Sequence, residues 1–251
     1  MGCSRHCASQ VSHAALLALA LACSATLAQG IDHSAFDKVL RENARDGQVN
    51  YPGVQANAEF KRYVDALAAP AKLDAKSDKL VYYMNAYNAL AMQGIIDGLS
   101  PSGFWGRQRY FKSKDWKLAG ADITLYNLEH KILRPLGDAR IHFSIVCVSR
   151  SCPKIRSEAF SAAKLEAQME DNARSFINDP TRNRFNKDKK SAEISQIFKW
   201  FAEDFNANAG SVQKYIAKYV SDPDVAKGLA AEQYKISYLD YNWNLNGTPP
   251  K

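Results

Sequence analysis

The chain has 251 residues, 33 Lys and Arg against 26 Asp and Glu, a formal net charge of +7, 46% hydrophobic and 24% charged residues, and five cysteines. Those proportions exclude a disordered chain, a collagen-like repeat and a small disulfide-dense scaffold. The length suits one domain of roughly 200 residues, or two small ones, with a substantial core.

Residues 1–28 carry one charged side chain, Arg5, then an apolar run from Val11 to Ala22 and a small-residue exit ending Thr26-Leu27-Ala28. A short positive region, an apolar stretch of about a dozen residues and such an exit make a secretory signal peptide, and the run is short for a bilayer span. The expectation is an exported protein, periplasmic or secreted, with residues 29–251 as one globular domain and no transmembrane segment in it. This reading is preferred to lipid anchoring at Cys23, because Ala20 stands where a lipoprotein site favours Leu. Cleavage after Ala28 removes Cys3, Cys7 and Cys23 and leaves Cys147 and Cys152.

Helical periodicity dominates the rest of the chain. Ser34 caps a helix with Phe36, Val39 and Leu40 inward, stopped by Gly47, and Asn57 caps a second with Phe60, Val64 and Leu67 on one face. A longer helix over Lys79–Ile96 is apolar on most sides and hence buried on most sides. The segment from Gly103 to Ile123 mixes aromatic and basic residues without a sustained period and reads as a surface connection with some extended structure. Thr124 caps a short helix with Leu125, Leu128 and Ile132 inward. Arg140–Val148 alternates and is expected to be a central strand apolar on both faces. Next come a helix over Ser161–Asn178, a basic hairpin tip at Arg182–Lys190, a helix after Ser195, two more starting near Ser211 and at Asp222-Pro223, and an extended aromatic close. The fold class expected is a helix-rich α+β single domain with a small mixed or antiparallel sheet.

Two cysteines five apart in an oxidising compartment suggest a disulfide. The competing reading makes Cys152 a nucleophile, with Pro153 opening a helix whose N-terminus would stabilise the thiolate. On a strand, His142 and Cys147 would point to opposite faces, so His142 could serve Cys152 and not Cys147. His130, next to Glu129, lies at the edge of a buried helical face, and His33 is expected to be solvated. Asn85 and Asn88 share a face of the long helix that ought to be apolar. They either bond a neighbouring loop or orient a catalytic group. No spacing suits a metal site, no glycine-rich loop suits a phosphate cofactor, and no cofactor is expected. The basic surplus at Arg107–Lys117 and Arg182–Lys190 fits an anionic envelope polymer, peptide or membrane surface. Export argues against nucleic acid as a partner.

Five ordered motifs resemble the family called domain of unknown function 547. They are Asn85-Ala86-Tyr87-Asn88; Leu128-Glu129-His130 with Ile132-Leu133-Arg134; Arg140-Ile141-His142-Phe143 running into Cys147 and Ser151-Cys152-Pro153; Ile197-Phe198-Lys199-Trp200 with Asp204-Phe205; and Tyr241–Asn246. The family pattern has Asp where this chain has Asn242, so that carboxylate is not carried over, although Asp240 is nearby. The resemblance implies that Glu129, His130, His142, Cys147 and Cys152 occupy motif positions; it implies no reaction. Two expectations stand side by side. One is a thiol-dependent hydrolase or acyltransferase, with Cys152 as nucleophile, His142 or His130 as base, and Glu129, Asp240 or Asn85 and Asn88 in support, alongside Cys147 and Arg140. The other is a non-catalytic exported binding module with a structural Cys147–Cys152 disulfide.

Overall fold

The computed structural model describes residues 31–250; the expected signal peptide and Cys23 lie outside them. The elements in chain order are α1 (Ser34–Asn43), β1 (Ala44–Arg45), β2 (Gln48–Asn50), α2 (Tyr51–Ala56), α3 (Ala58–Ala66), α4 (Lys76–Ile96) and α5 (Gly103–Arg107). After β3 (Trp116–Leu118) and β4 (Ala121–Ile123) come α6 (Leu125–Asn127), α7 (Leu165–Ile177), β5 (Arg184–Asn186), β6 (Ser191–Ile194), α8 (Ile197–Trp200) and α9 (Ala202–Ala209). The chain closes with α10 (Val212–Ala217), α11 (Pro223–Ala230), β7 (Lys235–Tyr238) and β8 (Gly247–Thr248). This is the helix-rich α+β fold expected. Among the described residues, no helix is long and apolar enough to cross a membrane.

Several caps are set by side chains, though not that of α1, where Ser34 lies inside the helix and no side chain caps it. Asn57 accepts the N–H groups of Glu59 and Phe60, Thr124 that of Asn127, Ser211 that of Lys214, and Asp222 those of Asp224 and Val225. Each occupies an otherwise orphaned donor of a first helical turn. The apolar sides of α4 place Met84, Tyr87 and Ala91 in the centre of a first hydrophobic cluster with α1, α2 and α3. A second cluster gathers α7 to α11 around Phe143, whose ring lies 4.9 Å from Phe176, 5.8 Å from Phe198 and 5.7 Å from Phe205. Truncating so enclosed a ring to Ala costs about 3–5 kcal/mol.

The strands form three small sheets, β1-β2-β8, β3-β4 and β5-β6-β7. Antiparallel β3-β4 turns at Ala119 and Gly120, both at positive φ, as a tight hairpin requires. Strands β7 and β8 pair in parallel with β6 and β2, so the aromatic stretch between them is anchored at both ends. Gly247 permits the second anchor, because a Cβ there would overlap the Val49 carbonyl oxygen.

Three expectations are corrected. Arg140–Val148 is not a strand; Ala139–Phe143 is a 3₁₀ helix and the chain then runs irregularly to a single bridge between Ser149 and Leu245. The segment is buried on nearly every side, so its alternation carried no information about which face was inward. Its backbone groups bond side chains instead of a neighbouring strand: Val146 N–H donates to Asn88 Oδ1 at 2.9 Å, Asn88 Nδ2 donates to the Ser144 carbonyl at 3.0 Å, and Cys147 N–H donates to Cys152 Sγ at 2.7 Å. Second, no helix begins at Pro153. Third, the basic aromatic segment is helical at its start, as α5 and a π-type turn over Gln108–Ser113, before the β3-β4 hairpin.

Candidate functional site

A cavity of about 590 Å³ opens where the two hydrophobic clusters meet, and both cysteines, His142, His130 and Glu129 line it. Loss of the strand removes the objection that His142 and Cys147 face opposite ways. Val148, with φ of +55°, reverses the chain immediately after Cys147. A β-branched residue there costs about 1–3 kcal/mol and persists only where its surroundings fix it. They do: Asn246 N–H donates to the Val148 carbonyl at 3.0 Å, Arg150 N–H to Asn244 at 2.8 Å, and Ser151 N–H to Asn242 at 3.2 Å. This zipper brings Tyr241 to the thiol. Cys147 Sγ lies 3.0 Å from both Ser149 Oγ and the Tyr241 hydroxyl.

The two thiols are unbonded to each other and differ electrostatically. Burial alone would push the Cys147 pKa up, but hydrogen bonds from the Cys152 thiol, Ser149 and Tyr241 outweigh it and hold Cys147 below the ordinary thiol range. Cys152 is pushed well above that range by burial and by its neighbour Cys147. Tyr87 and Tyr241, also on the cavity wall, are raised by burial and keep their hydroxyl protons as donors.

A second set of groups approaches from the other side. Leu128–Leu133 winds as a π-type turn continuing α6, a geometry often found at functional sites, and carries Glu129 and His130. His142 Nε2 donates to Asp204 Oδ2 at 2.7 Å, while Nδ1 faces Glu129 Oε1 at 3.7 Å, an ion-pair rather than a hydrogen-bond distance. Asp204 also accepts Arg134 Nε at 2.7 Å and Nη2 at 2.9 Å. Burial opposes protonation of His142, but the flanking Asp204 and Glu129 carboxylates outweigh it and raise its pKa. Burial likewise opposes ionisation of Asp204, and His142 and Arg134 overcome it, lowering the Asp204 pKa. The side chains thus form a string of alternating charge from Arg134 through Asp204 and His142 to Glu129, whose last carboxylate borders the cavity.

His130 differs. Its pKa is lowered, chiefly by burial, and Nδ1 lies 3.1 Å from the Tyr126 carbonyl with the ring stacked on Tyr126 at 3.9 Å. A carbonyl partner requires the proton on Nδ1, which leaves Nε2 with a free lone pair. His33 is half-buried rather than fully solvated, with Nδ1 2.7 Å from the Tyr63 hydroxyl.

The remaining sequence candidates lie elsewhere. Asn85 exchanges two bonds of 2.9 Å with the Phe160 backbone, and Asn88 secures Ser144 and Val146, so both amides are occupied in fixing loops. Arg140 pairs with Asp138 and Glu166 outside the cavity, and Asp240 is exposed and does not line it. Sequence reasoning gives no role to Tyr87, Ser149, Asp204 or Tyr241. Asp204 does carry a signal: an acidic residue three after Phe201 and just before Phe205, on a face otherwise aromatic. Among the described residues, no cluster of three or more His, Cys, Asp or Glu side chains is arranged to hold a metal ion.

A family model described as "Protein of unknown function, DUF547" matches residues 70–177. The chain resembles that family over this stretch, which holds both asparagines, Glu129, His130, Arg134, His142 and both cysteines but ends before Asp204 and Tyr241. No curated protein and no solved structure matches the chain.

Proposed function

We propose that this protein is an exported thiol-dependent hydrolase or acyltransferase in which Cys147, rather than Cys152, is the nucleophile. The supporting observation is the setting of Cys147 Sγ: on the wall of a cavity, 3.0 Å from two hydroxyls, with His130 and Glu129 lining the same cavity. His142 supports Glu129 and is not the base, since its two nitrogens face carboxylates. The thiolate adds to an ester or amide carbonyl carbon, and the Tyr87 hydroxyl donates to the developing oxyanion. The thiol proton, taken up by His130 Nε2, passes to the leaving oxygen or nitrogen as the carbon–heteroatom bond breaks. Water or an acceptor hydroxyl or amine then attacks the thioester, giving its proton to the same nitrogen and returning the thiolate. No cofactor is needed. Arg107 and Lys112, which stack over Trp243 and Tyr126 at 4.8 Å, border the cavity and suit a substrate with an anionic group, such as an acidic peptide or envelope polymer. Export is supported by the pattern of residues 1–28.

Peptide mapping after brief iodoacetamide treatment, together with p-nitrophenyl acetate as an acyl donor, tests the assignment. Cys147 is expected to alkylate first and to carry the acyl group as a thioester. Cys147→Ala abolishes the acylation burst, and His130→Gln slows deacylation. Preferential labelling of Cys152, or a quantitative Cys147–Cys152 disulfide that survives mild reductant, overturns the proposal; the disulfide would favour the binding module instead.

A further inference from the structure

The thiol chemistry uses Arg107 and Lys112 from the tip formed by residues 101–114 and leaves Phe104, Trp105 and Arg109 without a role. Trp105 is 80% exposed and Phe104 59%, the largest values for any large apolar side chains among the described residues. They are consecutive in α5 and meet edge to face with centroids 5.1 Å apart. A Cβ built on Gly103, next to Phe104, would meet nothing within 4 Å, so this edge of the turn faces open space, while Tyr110, buried with its hydroxyl on the Ala91 carbonyl, anchors the segment to α4. Apolar rings held together in water mark a contact surface rather than a folding requirement.

Charge says what kind of contact. Residues 101–114 contain Arg107, Arg109, Lys112 and Lys114 and no Asp or Glu. Lys114 is paired with Asp97 at 3.7 Å, but among the described residues no carboxylate lies within ion-pair distance of Arg109 or Lys112, and both are exposed. Protruding Trp and Phe beside unpaired cations match the requirements of a bilayer interface, where rings settle at headgroup depth and cations meet lipid phosphates. A soluble polyanion would use the cations and leave the rings in water.

We propose that this tip docks the protein on an anionic phospholipid surface, with Phe104 and Trp105 inserted among the headgroups and Arg109 and Lys112 on their phosphates. Phe104, Arg107 and Lys112 also border the cavity, so docking would bring its mouth to the lipid surface. The proposal does not rest on the thiol reading and stands or falls separately.

The test titrates the full chain with mixed phosphatidylglycerol–phosphatidylcholine vesicles, some brominated on the acyl chains, and reads quenching of tryptophan fluorescence. A local readout is required because residues 11–22 are apolar enough to bind lipid by themselves. Quenching is expected for the parent and lost in Trp105→Ala. Arg109→Ala is expected to weaken binding about fivefold, and high salt or pure phosphatidylcholine to weaken it further. Both side chains are exposed, so unchanged thermal melts will confirm that the variants fold. Equal quenching in the parent and Trp105→Ala, or equal binding to neutral vesicles, overturns the proposal. So does binding to soluble dextran sulfate that depends on Arg109 while vesicles go unbound, which would assign the patch to a polyanion.

Discussion

Asp204 is the joint of the charged string, and replacing it by Asn tests whether that string organises the cavity. The carboxylate accepts three charge-assisted bonds, from Arg134 Nε at 2.7 Å, Arg134 Nη2 at 2.9 Å and His142 Nε2 at 2.7 Å. An amide keeps the shape but one acceptor, and turns an NH₂ group toward a guanidinium or an imidazolium. Removing one charge of a buried pair costs about 3–5 kcal/mol. The Asp204 and Arg134 side chains remain 22% and 21% exposed, so the low end, about 3 kcal/mol, applies to this pair. For a domain of this size that lowers Tm by about 6–12 °C. The pH dependence is more specific. His142 has its pKa raised in the folded state, so its contribution is complete below the ordinary histidine value of about 6.5 and is lost as pH rises through the folded value. Asp204 has its pKa lowered, so its contribution is present above the ordinary carboxylate range and is lost as pH falls through the folded value. Urea unfolding of the parent should therefore show stability declining as pH rises above about 6.5, the ordinary histidine value, and Asp204→Asn should flatten that limb as well as lower it. A variant within about 0.5 kcal/mol of the parent, with the same pH profile, would refute the reasoning.

Asn88→Ala leaves the Ser144 carbonyl and the Val146 N–H without partners inside the protein, at a cost of about 3 kcal/mol measured by urea unfolding; a loss below about 1 kcal/mol would mean that the loop holds itself. Tyr241→Phe removes one donor to Cys147 Sγ, and the midpoint of the alkylation-rate profile should move to higher pH, whereas an unchanged midpoint would take Tyr241 out of the site. Gly247→Ala sets a Cβ against the Val49 backbone and should destabilise by about 2–3 kcal/mol, with amide exchange at Val49 accelerated ahead of α4.

The long amphipathic and buried helices are legible in the sequence because their signals are local. Asn57, Thr124, Ser211 and Asp222 cap as their residue types dictate, and α4 ends at Ile96 as expected. Arg140–Val148 misleads because its hydrogen bonds go to side chains distant in sequence. Nothing within nine residues reveals that Asn88 takes the place of an adjacent strand. The candidate site is legible as an inventory and not as an arrangement. Glu129, His130, His142 and the two cysteines do share one cavity, but Asp204, which holds His142, lies 62 residues further on. The low-pKa position falls on Cys147 because Tyr241, 94 residues away, is delivered by a parallel pairing at each end of its segment.

That delivery explains why the cavity lies where it does. Backbone buried between two hydrophobic clusters needs partners for every N–H and carbonyl, and a sheet would supply them only by making the segment straight. Here Asn88, Cys152 Sγ and the 242–246 backbone supply them individually, so the chain between Ser144 and Cys152 can bend and admit a positive φ at Val148. The bend leaves room for a cavity lined by both cysteines, with the Cys147 sulfur against two hydroxyls while that of Cys152 accepts a backbone N–H. The charged string closes the opposite side, joining the Glu129 turn of the first cluster to α9 of the second. Such an arrangement resists substitution unevenly: losing a backbone partner such as Asn88 should disturb both thiols together, whereas losing Tyr241 should alter the chemistry of Cys147 and leave the fold in place.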